Sequence, residues 1–359
     1  MSLLIIFYFS DVNPVFVNRK AHHTALFSQQ PGYEVRHIEC FVIRDVPASF
    51  RTQEVNSCVD EVAHHRFLGY AGDGRAIDLY DSKGDLHVLL THCDRADEVF
   101  VGDGNHSLYY ESGAGPAWAG VTFTVVGRHG LFTADQLVDT IRPSDQHFPR
   151  PRLVTIENTH NRSGGRVFPQ GDVEAIAEAA HSRGLSLHLD GARVWNASVA
   201  TGTPPATLCG PVDSVSACFS KGLGAPVGSI LAGDKEFVTR AHRYRKMLGG
   251  GMRQVGHLAA AGLHALEHNI ARLADDHARA ERVAEGLRAI DALSLTQDTN
   301  MVWVTPPAEH HDDLVAHLES EGLLGIFWKP TMRFVTHLDV DDAQVESLVD
   351  SFTRFFDSR

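Results

Sequence analysis

From residue 85 to the end of the chain, short apolar runs alternate with segments of helical period, and that alternation leaves few folds open. Glu98-Val-Phe-Val101, Gly120-Val-Thr-Phe-Thr-Val-Val126 and Arg152-Leu-Val-Thr-Ile156 have the length and composition of strands. After Pro169, Asp172 to His181 carries apolar residues at helical spacing, with Asp172 as the N-cap candidate and Gly184 as the stop. A further strand, Leu185 to Leu189, follows within a few residues. Strand–helix–strand alternation predicts right-handed crossovers and an α/β fold, a mostly parallel sheet flanked by helices. Ligands of such sheets sit beyond the carboxyl ends of the strands. Further on, Lys235 to Lys246, Arg253 to His268 with its alanine-rich run, and Asn269 to Ala289 are expected to be helical. Met301-Val-Trp-Val-Thr305, a helix over 308–321, a strand from Met332 to Thr336 and a helix over 341–356 then make a compact α+β unit. The expected division is a large domain over 1–270 and a small one over 271–359.

Two of the strand ends carry chemistry. Leu185-Ser-Leu-His-Leu-Asp190 is an apolar run that ends on a carboxylate and continues Gly191-Ala192-Arg193. Thirty-one positions on from Asp190, Lys221 follows the mostly apolar Asp213 to Ser220 and enters a loop with glycines at 222, 224 and 228. A strand-end aspartate ahead of such a lysine is what pyridoxal phosphate chemistry needs: the carboxylate keeps the pyridine nitrogen protonated and the lysine carries the cofactor as a Schiff base.

Composition narrows the function classes. A net charge of −13 and the lack of a basic stripe argue against nucleic acid as a partner. Five cysteines, at 40, 58, 93, 209 and 218, show neither paired nor metal-like spacing, which points to a reduced, cytoplasmic setting. The 22 histidines are scattered, and the adjacent pairs His22-His23, His64-His65 and His310-His311 point to different faces, so no metal is expected. The apolar opening, Leu3 to Phe9, is far shorter than the ~20 residues of a membrane span and lacks the basic flank of a signal peptide, so it is expected to be a strand.

Several phrases together resemble the threonine aldolases of the β-eliminating lyase group. They are Leu153-Val-Thr-Ile-Glu-Asn-Thr-His-Asn161 with Gly164-Gly165-Arg166, then His188-Leu-Asp-Gly-Ala-Arg193, then Ser220-Lys-Gly-Leu-Gly-Ala-Pro-Val-Gly228. Arg245-Lys-Met-Leu-Gly-Gly-Gly-Met-Arg-Gln254 and Arg333-Phe-Val-Thr-His-Leu-Asp339 complete the set. The resemblance covers about residues 85–359, and several motifs in order make it specific. It implies the aminotransferase-like fold type I of pyridoxal phosphate enzymes, with active sites shared in a homodimer or homotetramer. It also implies cleavage of a 3-hydroxy amino acid, of the threonine or allo-threonine type, to glycine and an aldehyde.

Roles follow from the same resemblance. Lys221 carries the cofactor and Asp190 partners the pyridine nitrogen. Arg193 and Arg333 hold the substrate carboxylate, a bidentate task that suits guanidinium. His106 stacks on the cofactor ring, with Glu111 near it. His147 is a second histidine near the substrate hydroxyl, and either imidazole is suited to take the hydroxyl proton. Lys246 and Arg253 flank the triple glycine and reach the cofactor phosphate, across a subunit interface in the family. Ser10 remains of the family's opening phrase at the substrate, and Ser82 of its phosphate cup. His160 either supports its motif by a hydrogen bond or takes part in catalysis.

The first 84 residues depart from the pattern. Tyr80-Asp81-Ser82 stands where the family has a Ser-Gly-Thr cup, so an aspartate meets the phosphate in place of a glycine amide. Two alternatives to the aldolase therefore remain open at this point: a related pyridoxal phosphate β-eliminating lyase on another 3-hydroxy amino acid, and a cofactor-poor assembly or binding subunit.

Overall fold

The computed structural model describes residues 76–80, 84–253 and 255–358. The apolar opening Leu3 to Phe9 and the expected site residues Ser10 and Ser82 lie outside the described residues.

Seven strands build one sheet: β1 (Ala76–Tyr80), β2 (Asp97–Gly102), β3 (Thr122–Val126), β4 (Arg150–Glu157), β5 (Ser186–Gly191), β6 (Ser214–Cys218) and β7 (Ser229–Gly233). Their order is β1-β7-β6-β5-β4-β2-β3. The pairs from β3 through β2, β4 and β5 to β6 are parallel, and β7 runs antiparallel to both its neighbours. Leu153, Val154, Ile156, Leu187 and Leu189 are at most 1% exposed. Thr155 and His188, which stand between them, are buried too, so successive residues are covered and both faces of the sheet are packed; each aliphatic side chain of this kind contributes about 1.5–3 kcal/mol when fully buried.

Around the sheet stand α1 (Gly84–His92), α2 (His106–Tyr109), α3 (Ala134–Thr140), α4 (Gln170–His181), α5 (Val194–Thr201), α6 (Pro205–Cys209), α7 (Lys235–Met247) and α8 (Gly256–His268). One apolar cluster joins β4, β5 and β6 to α4 and α5 through Ile156, Ile176, Leu187, Trp195 and Val215. A second, with Val88, Leu89, Val99, Leu231 and Val238, fills the space between the sheet and the α1–α7 pair. Local chemistry fixes the ends. Asp234 accepts the Phe237 amide at 2.7 Å to start α7, and Thr133 with Gln136 forms a capping box at α3.

The remainder is α9 (Leu273–Arg288), β8 (Ser294–Asp298), β9 (Met301–Thr305), α10 (His311–Ser320), β10 (Ile326–Trp328), β11 (Thr331–Val335) and α11 (Asp342–Asp357). Its four strands form an antiparallel sheet in the order β10-β11-β9-β8. Val283, Leu287, Val302, Val304, Leu314 and Phe352 make a separate core there.

Two local expectations are corrected. The N-cap of α4 is Pro169, not Asp172, which lies in the first turn and sets its carboxylate at the positive end of the helix. The expected 308–321 helix is a 3₁₀ turn, Ala308–His310, that leads into α10.

Candidate active site

The carboxyl ends of the parallel strands converge on a set of charged groups. β5 ends at Asp190-Gly191, and the Asp190 carboxylate is 6% exposed. Its Oδ1 accepts the Ala192 amide at 3.0 Å, so the loop after the strand fixes the carboxylate. Gly191 is required by packing, because a Cβ there would stand 2.7 Å from the Ser216 carbonyl oxygen of β6. The adjacent strand β4 ends at Glu157, whose Cα is the register partner of Asp190. Its carboxylate is 4% exposed. Oε2 accepts the His106 amide at 2.9 Å and Oε1 accepts the Asn161 amide at 2.9 Å.

His106 opens α2, with Asn105 as its N-cap. Its Nε2 lies 3.2 Å from Glu111 Oε1, and its ring is 5.1 Å from that of Tyr110, which stacks in turn on Trp328 at 5.6 Å. The Glu111 contact is the main cause of a raised His106 pKa. Asp85 and Asp190 push the same way, while burial and Lys221 oppose them. Asp85, in the first turn of α1, faces this group too. Burial first, then the Asp190 charge, hold its carboxyl well above the usual range; Glu111 and Glu157 add to the effect and His106 opposes it. Ligand atoms of Asp85, His106 and Glu111 lie within 4.8 Å of one another.

Lys221 lies in the β6–β7 loop, three residues past the end of β6, and is exposed. Its charge acts on both His106 and Cys218. Arg193 is the N-cap residue of α5. Burial and the neighbouring Arg333 lower its pKa to about 10, against the pull of Glu157, Cys218 and Asp190. Arg333 comes from β11 of the four-stranded sheet. Its Nη1 donates to Asn161 Oδ1 at 2.6 Å, its guanidinium lies 5.9 Å from the Trp303 ring centroid, and its buried Nε has no hydrogen-bond partner. Burial lowers the pKa of this guanidinium as well. Two arginines side by side, one with an unspent donor, make a receptor for a carboxylate.

Asp190, Lys221, Arg193, Arg333, His106 and Glu111 are thus brought together. His147 is not. It is 75% exposed, and its Nδ1 lies 2.5 Å from Asp145. Lys246, in the last turn of α7, donates to the Gly251 carbonyl at 3.4 Å, and both it and Arg253 are exposed. His160 is 1% exposed, with Nδ1 2.9 Å from Ser163 Oγ and Nε2 3.8 Å from Glu157. Asp85, Glu157 and Asn161 are members of the cluster that motif reasoning did not assign. Glu157 had a signal, since Leu153-Val-Thr-Ile-Glu157 ends an apolar run on a carboxylate just as Asp190 does.

The β-eliminating lyase family model matches residues 82–308. The chain is 40% identical over 276 residues to the low specificity L-threonine aldolase of Escherichia coli strain K12, spanning 76% of this chain and 82% of that relative. The chain belongs to the threonine aldolase family of β-eliminating lyases. Low-specificity L-threonine aldolase 1 of Arabidopsis thaliana is 37% identical over 75% of this family member and 78% of its own length. Among solved structures, Leishmania major threonine aldolase superposes with a TM-score of 0.68 at 18% identity, covering 79% of this chain and 84% of that one. Thermus thermophilus aspartate aminotransferase superposes with a TM-score of 0.61 at 14% identity, over 82% and 83%. The fold is that of the aminotransferase-like, fold type I proteins. No helix among the described residues is long and apolar enough to cross a membrane.

Proposed function

We propose that this protein is a pyridoxal phosphate-dependent aldolase that cleaves a 3-hydroxy-L-amino acid of the threonine type to glycine and an aldehyde. The observation that carries the reading is the convergence of Asp190, Lys221, the Arg193–Arg333 pair and His106 at one end of the parallel strands. The names and identities of the relatives point the same way.

The donor set fits the cofactor. Asp190 is a buried carboxylate with one oxygen already fixed by an amide, which suits a protonated ring nitrogen, and Lys221 supplies the amine for a covalent link. His106 suits the face of the ring. When bound, pyridoxal phosphate supplies an electron sink that makes the bond between Cα and Cβ breakable. The chain's own residues do the rest. Arg193 and Arg333 anchor the substrate carboxylate and so fix which bond at Cα is aligned for cleavage. His106, once neutral, accepts the proton of the β-hydroxyl, and Glu111 orients the imidazole from 3.2 Å. His106 takes this role in preference to His147, which is solvated and bound to Asp145.

Further parts of the reading are the phosphate grip and the assembly. Lys246 and Arg253 are assigned to the phosphate of a neighbouring subunit's cofactor in a homodimer or homotetramer, because both are exposed and flank the glycine run. Ser82 and Ser10 are assigned to the phosphate and the substrate. The large and small domains meet near residue 270, and the enzyme works in the cytoplasm on a free amino acid. Incubation with threonine and pyridoxal phosphate, followed by assay of glycine and acetaldehyde, tests the proposal. Equal amounts of both products support it, and 2-oxobutyrate with ammonia in their place would favour the related β-eliminating lyase.

A further inference from the structure

Glu157 is a buried carboxylate of the cluster that the reaction as described leaves without work. A carboxylate this deep is costly unless its oxygens are well bonded. Among the described residues no arginine or lysine is paired with it, and His160 Nε2 lies 3.8 Å away; its two oxygens accept backbone amides, one from His106 and one from Asn161. Each of these residues leads to a different part of the site. The His106 amide belongs to the residue that carries the base. The Asn161 side chain, through Oδ1, receives the 2.6 Å hydrogen bond from Arg333 Nη1. One carboxylate at the tip of β4 therefore ties the His106 turn to the loop that holds the Arg333 guanidinium, and stands beside Asp190 in the sheet register.

We propose that Glu157 is a positioning residue that fixes the separation between the His106 imidazole and the Arg333 carboxylate anchor. This rests on the functional reading of those two residues. A glutamine in its place offers one oxygen and one NH₂ group, so one amide would face another donor. An aspartate keeps the charge but is one methylene short of the two amides. The geometry demands two acceptor atoms at glutamate reach, and neither substitute supplies both.

Glu157→Gln and Glu157→Asp separate position from charge. For each, the dissociation constant of pyridoxal phosphate is measured by titration of the folded protein, and KM and kcat for threonine are measured beside it. The expected result is a KM raised about tenfold to hundredfold in both variants, the range for one lost charge-assisted hydrogen bond. A smaller fall in kcat and a cofactor dissociation constant raised several-fold should accompany it. An Asp variant with wild-type KM and wild-type cofactor affinity would overturn the proposal, because charge alone would then suffice. So would two variants that melt at lower temperature yet keep both constants, since Glu157 would then be structural. If neither variant melts cooperatively, Asn161→Ala decides. It keeps the amide bond to Glu157 and removes only the Arg333 contact, and an unchanged KM in it overturns the link. Wild-type protein run in parallel separates the two claims. Failure of the wild type to take up cofactor contradicts the functional reading, whereas wild-type uptake with unaltered variants contradicts this one.

Discussion

Arg333 Nη1 and Asn161 Oδ1, 2.6 Å apart, join the four-stranded sheet to the loop that follows β4 of the seven-stranded one. The bond leaves the Arg333 Nε buried and without a partner, beside an Arg193 whose pKa that same guanidinium helps to lower. Two cations held together are costly unless an anion joins them. An amino acid carboxylate is the anion that the functional reading supplies.

Arg333→Lys should therefore weaken substrate binding more than turnover. Lysine keeps the charge but loses the planar fork, and the loss of one charge-assisted hydrogen bond raises KM about tenfold to hundredfold. Steady-state kinetics with threonine check this, and an unchanged KM would remove Arg333 from the carboxylate site.

Glu111 raises the His106 pKa through their 3.2 Å contact. A base works only once it has lost its proton, so the acidic limb of the kcat/KM profile reports that pKa. Glu111→Gln takes away the main raising influence and should shift the limb to lower pH. A shift upward, or none, would mean that another group sets the limb.

The Asp85 pKa is shifted in the opposite direction to that of an ion-paired carboxylate. Burial and Asp190 hold its folded pKa above its unfolded value, so the folded chain keeps a proton that the unfolded chain has released. Stability is then lost as pH rises from about 4 through the folded pKa. Asp85→Asn cannot ionise. Cofactor-free Asp85→Asn protein should melt above wild type at neutral pH, with the gap closing as pH falls toward the unfolded value, and melting curves across that range check it.

Lys221 is exposed and outside every apolar cluster, so its removal should leave folding nearly intact. Lys221→Ala is expected to reduce threonine turnover by about a thousandfold or more, the scale seen when a covalent catalyst is deleted. A variant with near wild-type turnover would sink the assignment.

The sequence revealed the parallel sheet because β4 and β5 place large aliphatic side chains, Leu153, Val154, Ile156, Leu187 and Leu189, in the core, and such short apolar-rich stretches alternate with segments of helical period. Met301 to Thr305 is a strand with the expected limits for the same reason. What escaped were elements too short to show a period, such as the four-residue α2 and the three-residue β10, and the antiparallel β7, whose sequence carries no mark of direction. At the site, Asp190 and Lys221 stood out by type and spacing and Arg193 and Arg333 by the family phrases that contain them, and the charges of the four act on the same group of side chains. Residues defined by a partner far along the chain were not legible. Glu157 meets His106 across 51 positions and Asn161 meets Arg333 across 172, distances over which no local pattern speaks. His147 shows the converse, a recognised residue type that the described fold leaves in solvent beside Asp145.

The most direct test of the central claim is the near-ultraviolet and visible absorbance of the purified protein mixed with pyridoxal phosphate, before and after addition of threonine or glycine. The account predicts a band distinct from free cofactor, absent in Lys221→Ala, that shifts when either amino acid is added. A spectrum identical to that of free cofactor would contradict it and leave a binding subunit with the fold of an enzyme.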